Sequence, residues 1–303
     1  MSSQATKFFI GFATATVFMA LYGFYENGTY FRRYMMAQDD NDVSTQAKTP
    51  NPSPVISYDA LVGQPMDSPK LIDYIRKEML QPPSKGPYNL TEPGKRHFSQ
   101  YEQGQIIENK IYKGKRNGFF LEVGAVDGET FSNSLYFERE LGWTGLLIEA
   151  NPATYKYLHG KGRKAYSVNC GLSLSQVPSK MDLMVAGPSG MLSKIKTGKG
   201  PDSTVTIKTI PLYSLLLALN VSVIDYLSLD IEGSEMKVLQ TVPWDKVRIH
   251  VMDVESDKIP EGRDYLIRYM EDRGYKYLGT RTIDAFFVSS EVWNNVLKKV
   301  NPL

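Results

Sequence analysis

Gly118 to Pro152, GFFLEVGAVDGETFSNSLYFERELGWTGLLIEANP, is the stretch that decides the fold. Phe119 to Val123 is a short run of the kind a buried parallel strand shows. It breaks at Gly124 and Gly128, where the lack of a Cβ permits a tight turn and a close approach by a ligand. Ser132 to Leu141 reads as a helix closed by Gly142, and a second apolar run, Gly145 to Ile148, ends in Glu149. Strand, glycine turn, helix and strand make one βαβ half of a nucleotide-binding sheet, whose ligand crevice lies at the strand ends.

The spacing narrows the ligand. A dinucleotide fingerprint needs G-x-G-x-x-G, so that a pyrophosphate can sit on the helix N-terminus. Here Glu122 stands in place of the first glycine, giving E-x-G-x-x-x-G through Gly124 and Gly128. A carboxylate there repels a pyrophosphate and suits a cationic ligand such as the amino-acid end of S-adenosyl-L-methionine. Glu149, 21 residues after Gly128, is placed to accept both hydroxyls of a ribose. The residues expected at the cofactor are Glu122, Gly124, Asp127, Gly128, Asn133, Glu149 and Asn169. The plainer reading is a core without a nucleotide, in which the glycines only pack strand against helix.

Strand and helix patterns then alternate to the end of the chain, which argues for an α/β fold. Asn151-Pro152 starts a helix running to about Gly160, and Ala165 to Asn169 is a third strand. Met181 to Val185 and Ser203 to Thr209 read as strands around a loop, Gly187 to Asp202, with no legible substrate code. Tyr213 to Leu219 is helical, Tyr226 to Leu229 a strand, Glu235 to Thr241 a helix, Val247 to Val254 a strand and Asp264 to Arg273 a helix. Tyr275 to Gly279 and Ala285 to Val288 close the pattern as adjacent strands, an antiparallel end to a mostly parallel sheet.

A second chemical motif is Asp230-Ile231-Glu232-Gly233-Ser234-Glu235. Asp230 ends a strand and so projects into the crevice, and Gly233 permits a tight turn into the next helix. Glu235 falls in the first helical turn, where its reading is a capping charge. Asp230 or Glu232 can take the proton of a substrate hydroxyl as a general base, or the pair can orient the substrate. Glu255 ends the next strand and faces the same mouth, completing the expected catalytic set. Three acids at one rim can hold Mg²⁺, but a full oxygen cage is not legible and no divalent metal is expected.

FFLEVGAVDGETFSNSLYFERELGWTGLLIEANP followed by DYLSLDIEGSEMKVL resembles the FkbM-type methyltransferase domain, over about Gln100 to Val288. It resembles in particular the membrane-anchored animal branch of that family, which includes the insect protein Star. The family implies a Rossmann-like class I fold, S-adenosyl-L-methionine as methyl donor and O-methylation of a sugar or small hydroxyl compound. The Star-like branch implies instead a trafficking factor, using the same fold to bind transmembrane cargo during vesicle-mediated transport between endoplasmic reticulum, Golgi and endosomes.

At 303 residues and 42% hydrophobic content the chain can hold one substantial core with appendages. A net charge of +2 gives no nucleic-acid footprint, and Lys194, Lys196, Lys199 and Lys208 read as a solvated loop. The single cysteine, Cys170, excludes an intrachain disulfide and any thiolate metal cage. No two of the three histidines stand at ligand spacing, and His250 reads as a packed strand residue.

Phe8 to Tyr25 is an uncharged run of 18 residues. As a helix it spans about 27 Å, the thickness of an endoplasmic-reticulum bilayer. Its small-x-small pair Ala13 to Ala15 comes too early for a signal-peptidase cut, so an uncleaved anchor is expected. The expected organisation is a cytoplasmic tail over 1–7, an anchor over 8–25, a stalk over 26–66, a helical segment over 67–98 and the methyltransferase-like domain over 99–303. In the stalk, Gln38 to Pro54 lacks periodicity, and Ser68-Pro69 marks the start of the helix that follows. Lys7 against Arg32 and Arg33 leaves orientation nearly balanced. The short N-tail and the resemblance favour a lumenal domain in the endoplasmic reticulum or Golgi membrane. Asn89 and Asn220 are then the candidate glycosylation sites, Asn220 lying beside buried runs.

Overall fold

Phe119–Val123 forms β1 and Thr144–Glu149 forms β2, paired in parallel so that Glu122 lies opposite Leu147 and Val123 opposite Ile148. The computed structural model describes residues 56–185, 193–195 and 204–297. The expected anchor, residues 8–25, and the segment Gln38 to Pro54 lie outside them, as does most of the loop from Gly187 to Asp202. Among the described residues no helix is long and apolar enough to cross a membrane.

Beside β1 and β2 the sheet continues with β3 (Tyr166–Asn169) on one edge, and with β8 (Val223–Leu229), β9 (Arg248–Glu255), β11 (Asp284–Ser289) and β10 (Tyr275–Arg281) on the other side. The spatial order is β10-β11-β9-β8-β1-β2-β3. β11 runs antiparallel to both β9 and β10, and the other pairings are parallel. This is the expected α/β sheet with an antiparallel C-terminal strand. Its central strands are buried on both faces, which is why they read as near-continuous apolar runs. One face packs Leu121, Leu146, Leu227 and Met252, and the other Phe120, Leu147, Tyr226 and Val251.

Two expected strands belong elsewhere. β5 (Ser179–Met184) and β7 (Thr204–Ile210) pair antiparallel in a separate four-stranded sheet of order β4-β7-β5-β6, with β4 at Gly171–Leu172 and β6 at Lys194–Ile195. Their outer positions alternate with buried ones, as suits a sheet covered on one side only.

The first helix starts at Pro69 as expected: α1 is Pro69–Tyr74, continued as a wider turn through Ile75–Met79. Ser68 is its cap by position alone, since its side chain makes no capping bond and its carbonyl accepts from Ile72 N at 3.0 Å. The compact unit begins at Ile56, so residues 67–98 are part of it and do not precede it. Tyr58, Leu61, Leu71, Tyr74 and Ile75 sit in the main core, and the Tyr58 hydroxyl donates to the carbonyls of Ser179 and Thr209, both at 2.8 Å.

The remaining helices are α2 (Gln103–Ile107, widening through Glu108–Tyr112), α3 (Leu135–Leu141), α4 (Pro152–Gly160), α5 (Leu212–Leu219), α6 (Glu235–Thr241) and α7 (Arg263–Glu271). Asn151 caps α4 by accepting from Ala153 N at 3.0 Å. α3 starts at Leu135, three residues later than the pattern predicts. Ser132, Asn133 and Ser134 spend their donors on the buried Glu122 carboxylate, and such local bonds compete with helix formation.

Cys170 is buried, and burial pushes its thiol up to about 12, so it is an inert packing residue. Lys208, expected in a solvated basic patch, lies over the rings of Tyr58 and Tyr74 at 5.3 and 5.7 Å. His250 lies on its strand as expected, its Nδ1 3.3 Å from Asp225 Oδ1. Asn220, expected beside buried runs, is exposed at the left-handed C-cap of α5, and Asn89 is exposed with its Nδ2 donating to Gly160 O at 3.1 Å.

Candidate active site

Parallel strands end together, so their last residues line one rim. β1, β2, β8 and β9 deliver Gly124, Glu149, Asp230 and Glu255 there. Gly124 has φ +85°, and a Cβ on it would run into the carbonyl oxygen of Asp230. Asp230 N in turn donates to Val123 O at 3.2 Å. The glycine is therefore required by the close passage of two strand ends, whatever occupies the crevice.

The expected cofactor half is built around Glu149. Its carboxylate is buried, with Oε2 accepting from Val126 N at 2.9 Å and Oε1 from Asn151 N at 2.8 Å. Burial raises its carboxyl to about 7, against the pull of those backbone donors. A carboxylate can accept about four hydrogen bonds, so Glu149 keeps capacity for a ribose hydroxyl beside its backbone donors. Val126, which presents one donor, is a β-branched residue at φ +50°. Such strain gathers where a loop is held for function. Asn169 ends β3 and ties the same corner, its Nδ2 donating to Glu149 O at 2.8 Å.

Glu122 lies in a different setting. Its oxygens accept from Ser132 Oγ at 2.9 Å, Asn133 N at 2.7 Å and Ser134 Oγ. It holds the loop ahead of α3. Asp127 is likewise taken up by its own turn, accepting from Glu129 N at 2.9 Å and Thr130 N at 2.6 Å. Gly128 turns the loop at φ +79°, and its carbonyl accepts from Arg163. Asn133 Nδ2 donates to Ser228 Oγ at 2.9 Å, while its Oδ1 is buried and accepts no bond among the described residues. An unpaired acceptor in this loop suits a ligand that brings a donor, such as an ammonium. The residues present thus fit an adenosyl ligand through Glu149 and Asn133, with Glu122, Asp127 and the glycines shaping the loop.

The three expected catalytic acids do come together. One carboxylate oxygen from each of Asp230, Glu232 and Glu255 lies within 4.8 Å of the others. Burial, then the charges of Glu255 and Glu232, push the Asp230 carboxyl well above its usual range. Glu232 is turned into the group by its left-handed backbone, φ +62°, followed by Gly233 at φ +102°. Glu235 has the capping role expected of it: Oε1 accepts from Ile231 N at 2.9 Å and Gly233 N at 3.1 Å, fixing the turn.

Sequence reasoning missed the cation among these acids. Lys258 Nζ donates to Glu232 and, at 2.8 Å, to Glu255 Oε1. Burial favours its neutral amine, but the two carboxylates outweigh that and hold its ammonium above the usual range. Its signal was the i, i+3 spacing from Glu255. Also missed was a polar row on the same sheet face. Ser228 Oγ donates to Asp253 Oδ2 at 3.0 Å, Tyr226 OH donates to Asp253 Oδ1, and Gln103 Nε2 donates to Asp284 Oδ2 at 2.7 Å. Register puts Glu122 opposite Ser228 and Ser228 opposite Asp253, so the row crosses three strands.

Residues 122–277, just over half of the chain, match the family model described as the methyltransferase FkbM domain. The chain belongs to this family. Among solved structures it is similar to methyltransferase FkbM from Methylobacillus flagellatus KT, with 13% identity and a TM-score of 0.39. That match covers 57% of this chain and 43% of the other, so this FkbM domain spans less than half of the Methylobacillus protein. It is also similar to precorrin-6y C5,15-methyltransferase from Geobacter metallireducens GS-15 (9% identity, 61% of this chain, 84% of that one, TM-score 0.34). Aeropyrum pernix fibrillarin, crystallised with natively bound S-adenosyl-L-methionine, matches at 9% identity over 63% of this chain and 73% of its own, with a TM-score of 0.37. No curated protein matches the chain.

Proposed function

We propose that this FkbM-domain chain is an S-adenosylmethionine-dependent O-methyltransferase, anchored in a secretory-pathway membrane and acting on a hydroxyl of a sugar or small molecule. The observation that carries the reading is the division of one rim between two kinds of acid. Glu149 sits buried and braced by backbone donors, while Asp230, Glu232 and Glu255 gather around one point. S-adenosylmethionine, when bound, supplies an electrophilic methyl group on a sulfonium. Glu149 would accept ribose hydroxyls, and the loop from Gly124 to Asn133 would hold the adenosyl end. The acids at the ends of β8 and β9 orient the acceptor hydroxyl, and one of them takes its proton as the oxygen attacks. Nothing among the described residues favours the trafficking reading over this one.

Calorimetric titration of the full chain with S-adenosylmethionine tests the cofactor half. Low-micromolar binding, about −8 kcal/mol, is expected. Glu149→Ala should weaken it by roughly 1.5–3 kcal/mol, the worth of hydrogen bonds to a charged group. A folded chain that takes up no S-adenosylmethionine would end the reading.

The anchored, lumenal arrangement rests on the apolar run Phe8 to Tyr25 and on two exposed sequon asparagines. Expressed in animal cells, the chain should remain in carbonate-washed membranes and gain mobility on glycosidase treatment. Asn89→Gln and Asn220→Gln should each remove one step of that shift. Digestion of the C-terminal domain by protease added to sealed microsomes would reverse the orientation.

A further inference from the structure

We propose that Asp230, Glu232 and Glu255 form a binding site for one hard divalent cation, held in competition with the Lys258 ammonium. Around such an ion two oxygens on opposite sides are separated by twice the bond length, about 4.2 Å for Mg²⁺ and about 4.8 Å for Ca²⁺. The three carboxylate oxygens already lie within 4.8 Å of one another, inside the span of a Ca²⁺ sphere and a small closure away from that of Mg²⁺.

A second observation points the same way. Glu255 is only 1% exposed, and its carboxyl lies against that of Asp230. Its Oε1 accepts from Lys258, but its Oε2 accepts from nothing among the described residues. A buried carboxylate oxygen with no donor is costly, and it calls for a cation or a shared proton. The ligand set is all carboxylate, without histidine or thiolate, so it selects Mg²⁺, Mn²⁺ or Ca²⁺ over the softer metals. Entry needs no opening of the core. Lys258 has a side chain 41% exposed and a flexible stem, so its ammonium can swing out as the ion arrives. The site goes beyond the methyl-transfer reading and does not depend on it.

The test is a Mn²⁺ titration of the purified full chain, followed by the paramagnetic resonance of free Mn²⁺, with Ca²⁺ and Mg²⁺ as competitors. One Mn²⁺ per chain is expected, with Kd around 10⁻⁴ M, the range of modest carboxylate sites. Glu255→Gln should weaken it about tenfold or more, and Lys258→Met should tighten it about tenfold by removing the resident cation. Thermal melts and S-adenosylmethionine titrations of the same samples report folding and the cofactor site separately. If wild-type and Lys258→Met chains melt cooperatively yet bind no Mn²⁺, a shared proton fills the gap and the proposal fails. Binding indifferent to both substitutions would equally overturn it. S-adenosylmethionine binding without Mn²⁺ binding would sink this site and leave the methyltransferase reading standing.

Discussion

Glu122 and Glu149 are two buried acids on neighbouring strands, and the donors around them set their roles. Glu122 meets two serine hydroxyls and a backbone amide, so its capacity goes into fixing the loop. Glu149 meets only backbone amides, at a strand end that opens on the crevice. Both were legible as buried acids beside glycines. The difference between them was not, because Ser132 and Ser134 look from sequence like the first turn of a helix. Among the rim acids, Glu232 is the cleanest to change, since it sits in a turn and outside the strands. Glu232→Gln keeps the shape and removes the basicity. S-adenosylmethionine affinity should hold, while methyl transfer to any acceptor found with labelled donor should fall by about 10²–10⁴. An unchanged rate would remove Glu232 from the chemistry.

At the scale of elements, the crevice depends on how α3 and the loop before it are tied to the sheet edge. Arg163, just ahead of β3, donates from Nε to Glu138 Oε2 at 3.0 Å, from another nitrogen to Ser134 Oγ at 3.0 Å, and to the carbonyl of Gly128. Both partners of the ion pair are almost fully buried. Arg163→Met would leave Glu138 charged in the core with only neutral donors, the Lys164 amide and the Tyr88 hydroxyl. Losing one partner of a buried pair costs about 3–5 kcal/mol. Denaturant unfolding should show that loss, and S-adenosylmethionine binding should weaken with it. A loss under about 1 kcal/mol would mean that Glu138 is not buried as charge. Nothing in the sequence announces this tie, because partners 25 residues apart leave no periodic trace. Periodicity did reveal β1, β2, α6 and the closing strands, since each carries its own burial pattern. It could not assign β5 and β7 to a second sheet, nor seat Tyr58 and Leu61 in the core, because both depend on distant partners.

For the whole molecule, the consequence of so many buried acids is a particular dependence of stability on pH. Burial raises Glu149 and Glu235 to about 7 and Asp284 to about 6 in the folded chain. In the unfolded chain the same groups titrate near 4.5 and 3.8. Between those limits the folded state holds protons that the unfolded state has released, so stability falls as pH rises. Glu149 and Glu235 should each contribute a loss of roughly 3 kcal/mol between about pH 4.5 and 7. Asp225 acts in the opposite sense. Against burial, His250, Lys115 and the Phe119 amide hold its carboxyl at about 2, so its contribution is lost only as pH falls from 3.8 towards 2. Stability of the ligand-free chain should therefore peak in mildly acidic solution and decline towards neutrality. Glu149→Gln, which cannot ionise, should flatten the decline while keeping the amide contacts in part. Melting temperatures measured from pH 4 to 8 at constant ionic strength give the check. A curve that rises from pH 5 to 7.5 would mean these acids are ionised and paired in the folded state. Ribose hydroxyls donating to Glu149 favour its carboxylate, so S-adenosylmethionine should bind more tightly as pH rises to about 7 and release a proton as it does so.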